Sequence, residues 1–368
     1  MFSSSCLSHL QTLHGQITLP TFFPDGTRGV VRGVDATDLE NAQVEGLVIN
    51  TYHLLSDALS QRIKSFDGIH YFMRWTRPII TDSGGFQVMS LIHDNPQFGV
   101  IRDKEIIFKP NGAQKIVLTP EKSIQLQLRL GTDIAIVLDD CTKPECSFDE
   151  QKISVERTIK WAKRSKDEFN KLTTSQPQLR KVYPCKAKPL LFAVVQGGND
   201  KNLRKYCAKE LIKIGFDGYC FGGFPVADGK FLSEIVKYTA SLLPDNKPKY
   251  ALGVGRPENI VDCVGWGYGI FDCVIPTREA RHKKLYVFTK LPTKQGLIEG
   301  SCYSNLYFGS AKYEKSMDPV SKFCDCLTCR EYSRAYLHHL FKIQDVLSIR
   351  LATIHNLRFY SMLLEGLR

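Results

Sequence analysis

The chain has 368 residues, 43% of them hydrophobic and 24% charged, which is a globular composition, and no apolar run approaches the ~18 residues that a membrane-spanning helix requires. Lys and Arg outnumber Asp and Glu by 49 to 38, a formal charge of +11 that suits a partner of phosphate backbones, although basic residues spread evenly for solubility would give the same total. The first 27 residues contain no Lys or Arg, so the basic start of a secretory signal or a mitochondrial presequence is missing and a cytoplasmic setting is expected. Most of the twelve cysteines stand singly in apolar runs, such as Cys220 in GYCFGG and Cys273 in FDCVIP, and read as buried thiols rather than as a disulfide framework.

Eight short runs rich in β-branched and aromatic residues recur along the chain: TFFPDG from Thr21, GLVINTYH from Gly46, PIITDSGG from Pro78, DIAIVLDD from Asp133, LLFAVVQGG from Leu190, GYCFGG from Gly218, YALGVG from Tyr250 and IFDCVIPT from Ile270. Near-continuous apolar runs are what parallel strands buried on both faces require. The segments between them hold helices. In TPEKSIQLQLRLG, Thr119 is placed to cap, Pro120 opens the first turn, Ile124 and Leu128 share a face and Gly131 stops the helix. In SVERTIKWAKRSKDEF, Val155, Ile159 and Ala162 share a face. This alternation predicts an α/β fold, a (β/α)8 barrel, with an open doubly wound sheet as the alternative. Asp82, Asp139, Gln196, Gly223 and Asp272 all fall at or near the C-terminal end of a predicted strand, the rim on which a barrel builds its site. After TREARHKK the strand rhythm stops, and the rest reads as a metal-binding segment and a helical tail.

In FCDCLTCREYSRAYLHHL, Cys324, Cys326 and Cys329 form a C-x-C-x-x-C knuckle suited to a tetrahedral ion once a fourth ligand folds back. His338, His339 and His355 are candidates, and spacing does not choose among them. Cysteines packed as small hydrophobes, or an iron–sulfur cluster, are the alternatives. Three Cys and one His would close all four positions of Zn²⁺, making the site structural.

On the rim, TDSGGFQ sets Asp82 and Ser83 beside a Gly pair, which lets backbone approach a flat ligand, and Phe86, which can stack on it. VLDDC offers Asp139 and Asp140, VVQGG offers Gln196, and FGGF offers Gly222 and Gly223. A carboxylate accepts the two adjacent donors of a guanine-like edge, and a Gln amide or Gly N–H serves its O6. Two facing carboxylates, Asp272 and Asp82, are the arrangement that breaks glycosidic bonds, one attacking the anomeric carbon while the other moves the proton. Arg278, Arg281, His282, Lys283 and Lys284 follow Asp272 within a dozen residues and would hold polynucleotide phosphates; a solvated charged loop is the plainer reading of such a run.

With these residues in place the chain resembles the tRNA-guanine transglycosylase (queuine tRNA-ribosyltransferase) family nearly end to end. NTYHL at Asn50, DSGGFQVMSL at Asp82, VVQGG, GVGRPENI at Gly253, FDCVIPTREARH and CDCLTCREYSRAYLHHL occur in family order and at family spacing. The resemblance implies a barrel over residues 1–300, with a zinc-binding subdomain and C-terminal helices over 301–368. It implies exchange of the wobble guanine of particular tRNAs for a free 7-deazaguanine base. Asp272 would be the nucleophile that holds the ribose covalently, and Asp82 the general acid/base. Asp139, Gln196 and the Gly223 backbone would read the base, with Phe86 stacking on it, while Arg278 and Arg281 would grip flanking nucleotides. Structural zinc would sit on Cys324, Cys326, Cys329 and His355, in a subdomain supporting tRNA binding and a homodimer, with no membrane partner.

Some positions depart from the family pattern. Phe86 stands where many members have Tyr, Phe224 and Pro225 replace small residues after the Gly pair, and Lys283 stands where Gly is usual. Val226 and Cys141 resemble the bacterial members, which take 7-aminomethyl-7-deazaguanine, rather than the eukaryotic ones, which take queuine. A non-catalytic tRNA-binding subunit of a heterodimer is the main alternative, and the presence of both Asp82 and Asp272 speaks against it. A tRNA glycosidase that resolves the intermediate with water is another, and a complete base-reading set speaks against that.

Overall fold

The structure, a computed structural model, describes residues 7–54, 61–63, 65–109, 115–175 and 188–368. Eight short strands are β1 (Thr21–Pro24), β2 (Leu47–Asn50), β3 (Ile79–Asp82), β4 (Ile134–Ile136), β5 (Leu190–Val195), β6 (Gly218–Phe221), β7 (Lys249–Ala251) and β8 (Ile270–Cys273). They form one parallel sheet in the order β1-β8-β7-β6-β5-β4-β3-β2. The ends meet through a parallel bridge between Asp25 and Val48, where the Gly26 N–H donates to the Val48 carbonyl at 2.7 Å. The expected (β/α)8 barrel is therefore the fold. Its interior is filled by Phe23, Ile80, Ile134, Ile136, Phe192, Val194, Cys220 and Ile270, all buried, which is why the strands read as unbroken apolar runs rather than as alternating ones.

The helix Pro120–Leu130 begins and ends where its caps direct: the Thr119 side chain accepts from the Lys122 N–H at 3.2 Å, and Gly131 closes it at φ 84°. Helix Phe148–Ser175 buries Val155 and Ala162 against the sheet. Below the barrel, a hairpin of His9–Thr12 and Gly15–Thr18 lies against the N-terminal ends of the strands. Between β3 and β4 the chain adds a three-stranded antiparallel sheet, Gly99–Ile101, Ile106–Phe108 and Ile116–Leu118.

Where the sequence reading ends the strand rhythm, two more strands follow. Lys284–Phe288 and Tyr303–Tyr307 pair antiparallel, Leu285 opposite Leu306. KLYVF is a β-forming run in its own right, and a barrel rhythm already complete at eight strands hides it. Helices Leu327–Glu331, Arg334–Lys342 and Val346–Glu365 complete the chain. The last is buried on most of its circumference: Leu351 and Ile354 face the cysteine-bearing unit, Phe359 stacks on Phe288 of the antiparallel pair, and Tyr360 packs on Phe22 of the barrel. Each such side chain contributes ~1.5–3 kcal/mol of burial, so this helix joins the two units firmly. No helix among the described residues is long and apolar enough to cross a membrane.

Candidate active site

The C-terminal rim encloses a cleft of about 280 Å³ lined by Asp82, Phe86, Asp139, Gln196, Gly223 and Asp272, every residue the sequence assigned to catalysis and base reading. Asp140, next to Asp139, turns away and pairs with Arg157 at 2.5 Å, so only Asp139 faces the cleft. Asp139 accepts from Gln196 Nε2 at 2.6 Å, which makes one buried wall of the two. Gly222 backs this wall so closely that a Cβ there would lie 2.7 Å from Gln196 Nε2. Phe86 is 37% exposed and tilts against Phe224, ring centroids 5.4 Å apart, so the apolar lid of the cleft is a pair of rings.

Asp82, half-buried at the end of β3, is held by residues the sequence reading quoted but gave no role. Asn50 Nδ2 donates to its Oδ2 at 2.9 Å and the Ser83 N–H to its Oδ1 at 2.8 Å. Asp272, half-buried on β8, accepts from the Gly253 N–H at 3.0 Å. Gly253 has φ 72°, a left-handed conformation that turns this N–H toward the carboxylate and favours glycine. The Tyr250 phenol lies buried beneath Asp272 and favours its charged form without making a well-directed hydrogen bond among the described residues. NTYHL and GVGRPENI carried these partners in plain view, but nothing local marks a residue as another's hydrogen-bond donor.

Burial pushes the carboxyls of Asp82, Asp139 and Asp272 up. Asp82 rises to about 6 against hydrogen bonds from Ser83, Gln87 and Asn50. Asp272 rises to about 6 against the Gly253 hydrogen bond and the nearby Tyr250 phenol, with the charges of Asp82 and Asp25 adding to the rise. Asp139 rises to about 7, its one opposing bond from Gln196 outweighed by burial and by the neighbouring Asp82 and Asp140. Water reaching the open cleft tempers the effect at half-buried Asp82 and Asp272 more than at buried Asp139.

Arg278, 51% exposed, and Arg281, half-buried, sit outside the cleft on the helix Ile275–Arg281 that follows β8. Arg281 is pushed down by burial and by the nearby charges of Arg32 and Arg278. Arg28 and Arg32, from the loop after β1, bear electrostatically on His53 at the mouth, so the basic surface is wider than the TREARHKK run. Lys283 has φ 67°, and this backbone conformation is the physical reason glycine suits the position.

Of the three histidine candidates, only His355 joins the cysteines. One ligand atom each of Cys324, Cys326, Cys329 and His355 lies within 4.8 Å of the others. His355 Nδ1 is 3.2 Å from Cys329 Sγ and 3.6 Å from Cys326 Sγ, while its Nε2 lies 2.6 Å from the Tyr286 carbonyl. That carbonyl needs a proton on Nε2, which leaves the Nδ1 lone pair facing the sulfurs, the orientation of a metal ligand. Hydrogen bonds with Cys324 and Cys329 hold the Cys326 thiol well below its usual range, while those with Cys324 and Cys326 push Cys329 up, so three thiolates side by side call for a cation between them. The donor set fits a tetrahedral metal ion with no open position. His338 instead faces the Phe308 carbonyl at 2.9 Å and His339 is exposed.

Comparison with known proteins agrees with this geometry. A family model described as queuine tRNA-ribosyltransferase matches residues 4–368. The chain is 40% identical over 354 residues to the queuine tRNA-ribosyltransferase of Mannheimia succiniciproducens, covering 96% of this chain and 85% of that protein. It is 40% identical over 358 residues to that of Blochmanniella floridana and 38% identical over 356 to that of Shewanella sediminis, each across 96% of this chain and 86% of the relative. With a closed eight-stranded barrel, a rim of raised carboxylates and a buried Cys3His cluster, the chain belongs to the queuine tRNA-ribosyltransferase family of transferases.

Proposed function

We propose that the chain exchanges the wobble guanine of tRNA for a free 7-deazaguanine through a covalent ribosyl–enzyme intermediate. The observation that carries this reading is the convergence of Asp82, Asp139 and Asp272 from three strands on one cleft, with Asp82 and Asp272 both raised to about 6. A carboxyl poised near neutrality gives and takes a proton with equal ease. Asp272 attacks C1′ of the ribose; the C1′–N9 bond breaks, and guanine leaves with a proton delivered by Asp82. The incoming base returns its N9 proton to Asp82, attacks C1′ and frees the Asp272 carboxylate. Asp139 accepts the adjacent donors of the base, Gln196 and the Gly223 backbone complete the edge, and Phe86 with Phe224 covers its face. A 7-deazapurine lacks the N7 whose protonation eases departure, so a near-symmetric exchange becomes one-way.

Arg278 and Arg281 hold the nucleotides beside the wobble position. The metal cluster supports them at one remove, because Asn356, next to His355, donates to the Pro276 carbonyl at 3.0 Å and accepts from the Tyr286 N–H at 3.0 Å, tying the arginine-bearing helix to the metal-bearing one. Zinc bound by Cys324, Cys326, Cys329 and His355 would fix this corner and take no part in the chemistry. Atomic absorption is expected to find one zinc per chain, lost together with thermal stability in Cys326→Ser. Two units, residues 1–300 and 301–368, joined by the Lys284–Phe288/Tyr303–Tyr307 sheet, and a cytoplasmic homodimer complete the proposal, with light scattering as the test of the dimer.

The deciding experiment follows radiolabelled guanine out of a tRNA with guanine at the wobble position, with 7-aminomethyl-7-deazaguanine and queuine offered in parallel. Release driven by one base identifies the transglycosylase and its substrate. Binding without release under either base makes the chain a tRNA-binding subunit.

A further inference from the structure

One cleft carboxylate has no part in the reaction above. Asp25 follows β1 on the rim, and the pairing of β1 with β8 fixes where it points: Asp272 is level with Phe23, so Asp25, two residues on, projects to the same side one step of ~6–7 Å higher. It lines the cleft with Val48 and Val274. Its Oδ1 is taken by the Thr27 N–H at 3.0 Å and by the Thr27 hydroxyl, which locks the carboxylate in place. No donor among the described residues hydrogen-bonds its Oδ2.

The charge of Asp25 bears on Asp272 on one side and on His53 and Arg281 on the other. It therefore stands between the carboxylate that attacks C1′ and the cations that hold phosphates. A nucleotide bound across this path puts its base in the cleft, its phosphates on the arginines and its sugar against Asp25. A carboxylate repels phosphate and can only accept hydrogen bonds. Within a polynucleotide the 3′ and 5′ oxygens are esterified, so the one donor a ribose can offer is its 2′-hydroxyl.

We infer that Asp25 accepts a hydrogen bond from the 2′-hydroxyl of the wobble ribose and makes this chain selective for RNA over DNA at that nucleotide; the inference rests on the transglycosylase reading. The test uses anticodon stem–loops with a 2′-hydroxyl or a 2′-deoxy sugar at the wobble guanosine alone. Both dissociation constants and kcat/KM for guanine release are measured for the native chain, Asp25→Val and Asp25→Asn. A hydrogen bond to a charged acceptor predicts that the native chain prefers the ribose substrate by about 10- to 100-fold. Asp25→Val should lose that much on the ribose substrate and nothing more on the deoxy one. Asp25→Asn keeps an oxygen for Thr27 and guards against a folding defect, and it should show a preference several-fold smaller than native. An equal ribose preference in all three chains, or none in the native chain, overturns the assignment. If the native chain releases no guanine, the transglycosylase reading falls, and the ribose preference is still read from the dissociation constants.

Discussion

One run of sequence, DIAIVLDD, carries a buried carboxylate at each end of β4, and the barrel treats the two in opposite ways. Asp133, at the lower end, is fully buried and accepts from the His14 N–H at 2.8 Å, the Ile79 N–H at 2.8 Å and His14 Nδ1 at 3.1 Å, with His70 Nε2 at 3.2 Å. Burial alone would push its carboxyl up, but the hydrogen bonds and charges of the stacked His14 and His70 outweigh it and hold the group well below the usual range. Asp139, at the upper end, is as deeply buried but has a single side-chain donor and two acidic neighbours, and it rises to about 7. Burial is common to both, so the count of donors decides. The lower face satisfies its carboxylate and gains rigidity; the upper face leaves its carboxylates wanting a partner, which a substrate supplies.

The largest effect expected is at Asp272. Asp272→Asn should cut guanine exchange by ~10⁴-fold or more and abolish the covalent tRNA adduct on denaturing gels, without loss of thermal stability. An adduct that survives would remove Asp272 as the nucleophile. Because Asp272 attacks only when ionised and is raised to about 6, native exchange should fall as pH drops through about 6. A rate constant flat down to pH 5 would break the contrast between the two faces.

Asp133→Ala should cost ~3–5 kcal/mol in a urea melt at pH 7, since it strands several buried donors, while kcat of the folded fraction stays unchanged. The sign of its pH dependence follows from the depressed carboxyl: its stabilisation is complete above the ordinary Asp value of ~3.9 and is lost as pH falls below it. His70, lowered by burial, brings acid sensitivity on earlier, because below ~6.5 the unfolded chain takes up a proton that the folded chain refuses.

Asp139→Asn should do the reverse. The folded chain keeps a proton on Asp139 that the unfolded chain gives up between ~3.9 and about 7, so the penalty of its charge grows as pH rises through that window. The variant should be more stable than native at pH 8 by on the order of 1–4 kcal/mol, should lose most of that advantage at pH 5, and should bind the free base ~100-fold more weakly or worse. A destabilised variant at pH 8 would refute the account of the upper face. The smallest effect is expected at exposed Arg278, where Arg278→Ala should weaken tRNA binding a few-fold and reduce its salt slope by about one, with the urea midpoint unmoved.

Much of this is legible in the sequence. The apolar runs, the caps of Pro120–Leu130 and the acidic residues at strand ends are local signals, since a strand buried on both faces, an N-cap and a stop glycine are each written within a few residues. The same locality explains the misses. The run Lys284–Phe288 is β-forming locally, but its place outside a barrel rhythm already complete at eight strands depends on its partner Tyr303–Tyr307, beyond an intervening helix. The side-chain donor to Asp82, Asn50, and the donor to Asp272, the Gly253 N–H, lie 32 and 19 residues away in the chain.

By itself the sequence determined the eight-stranded barrel, the set of rim residues and a thiol-rich metal knuckle, because periodicity, capping and ligand clustering are short-range properties of the chain. Tertiary structure alone decided which of two adjacent aspartates faces the cleft, which of three histidines meets the cysteines, that Arg28, Arg32 and Asp25 join the mouth, and that Asp133 is held charged while Asp139 is not. Those choices turn on which groups from distant segments come within ~3 Å of one another, and only the closed fold sets such distances.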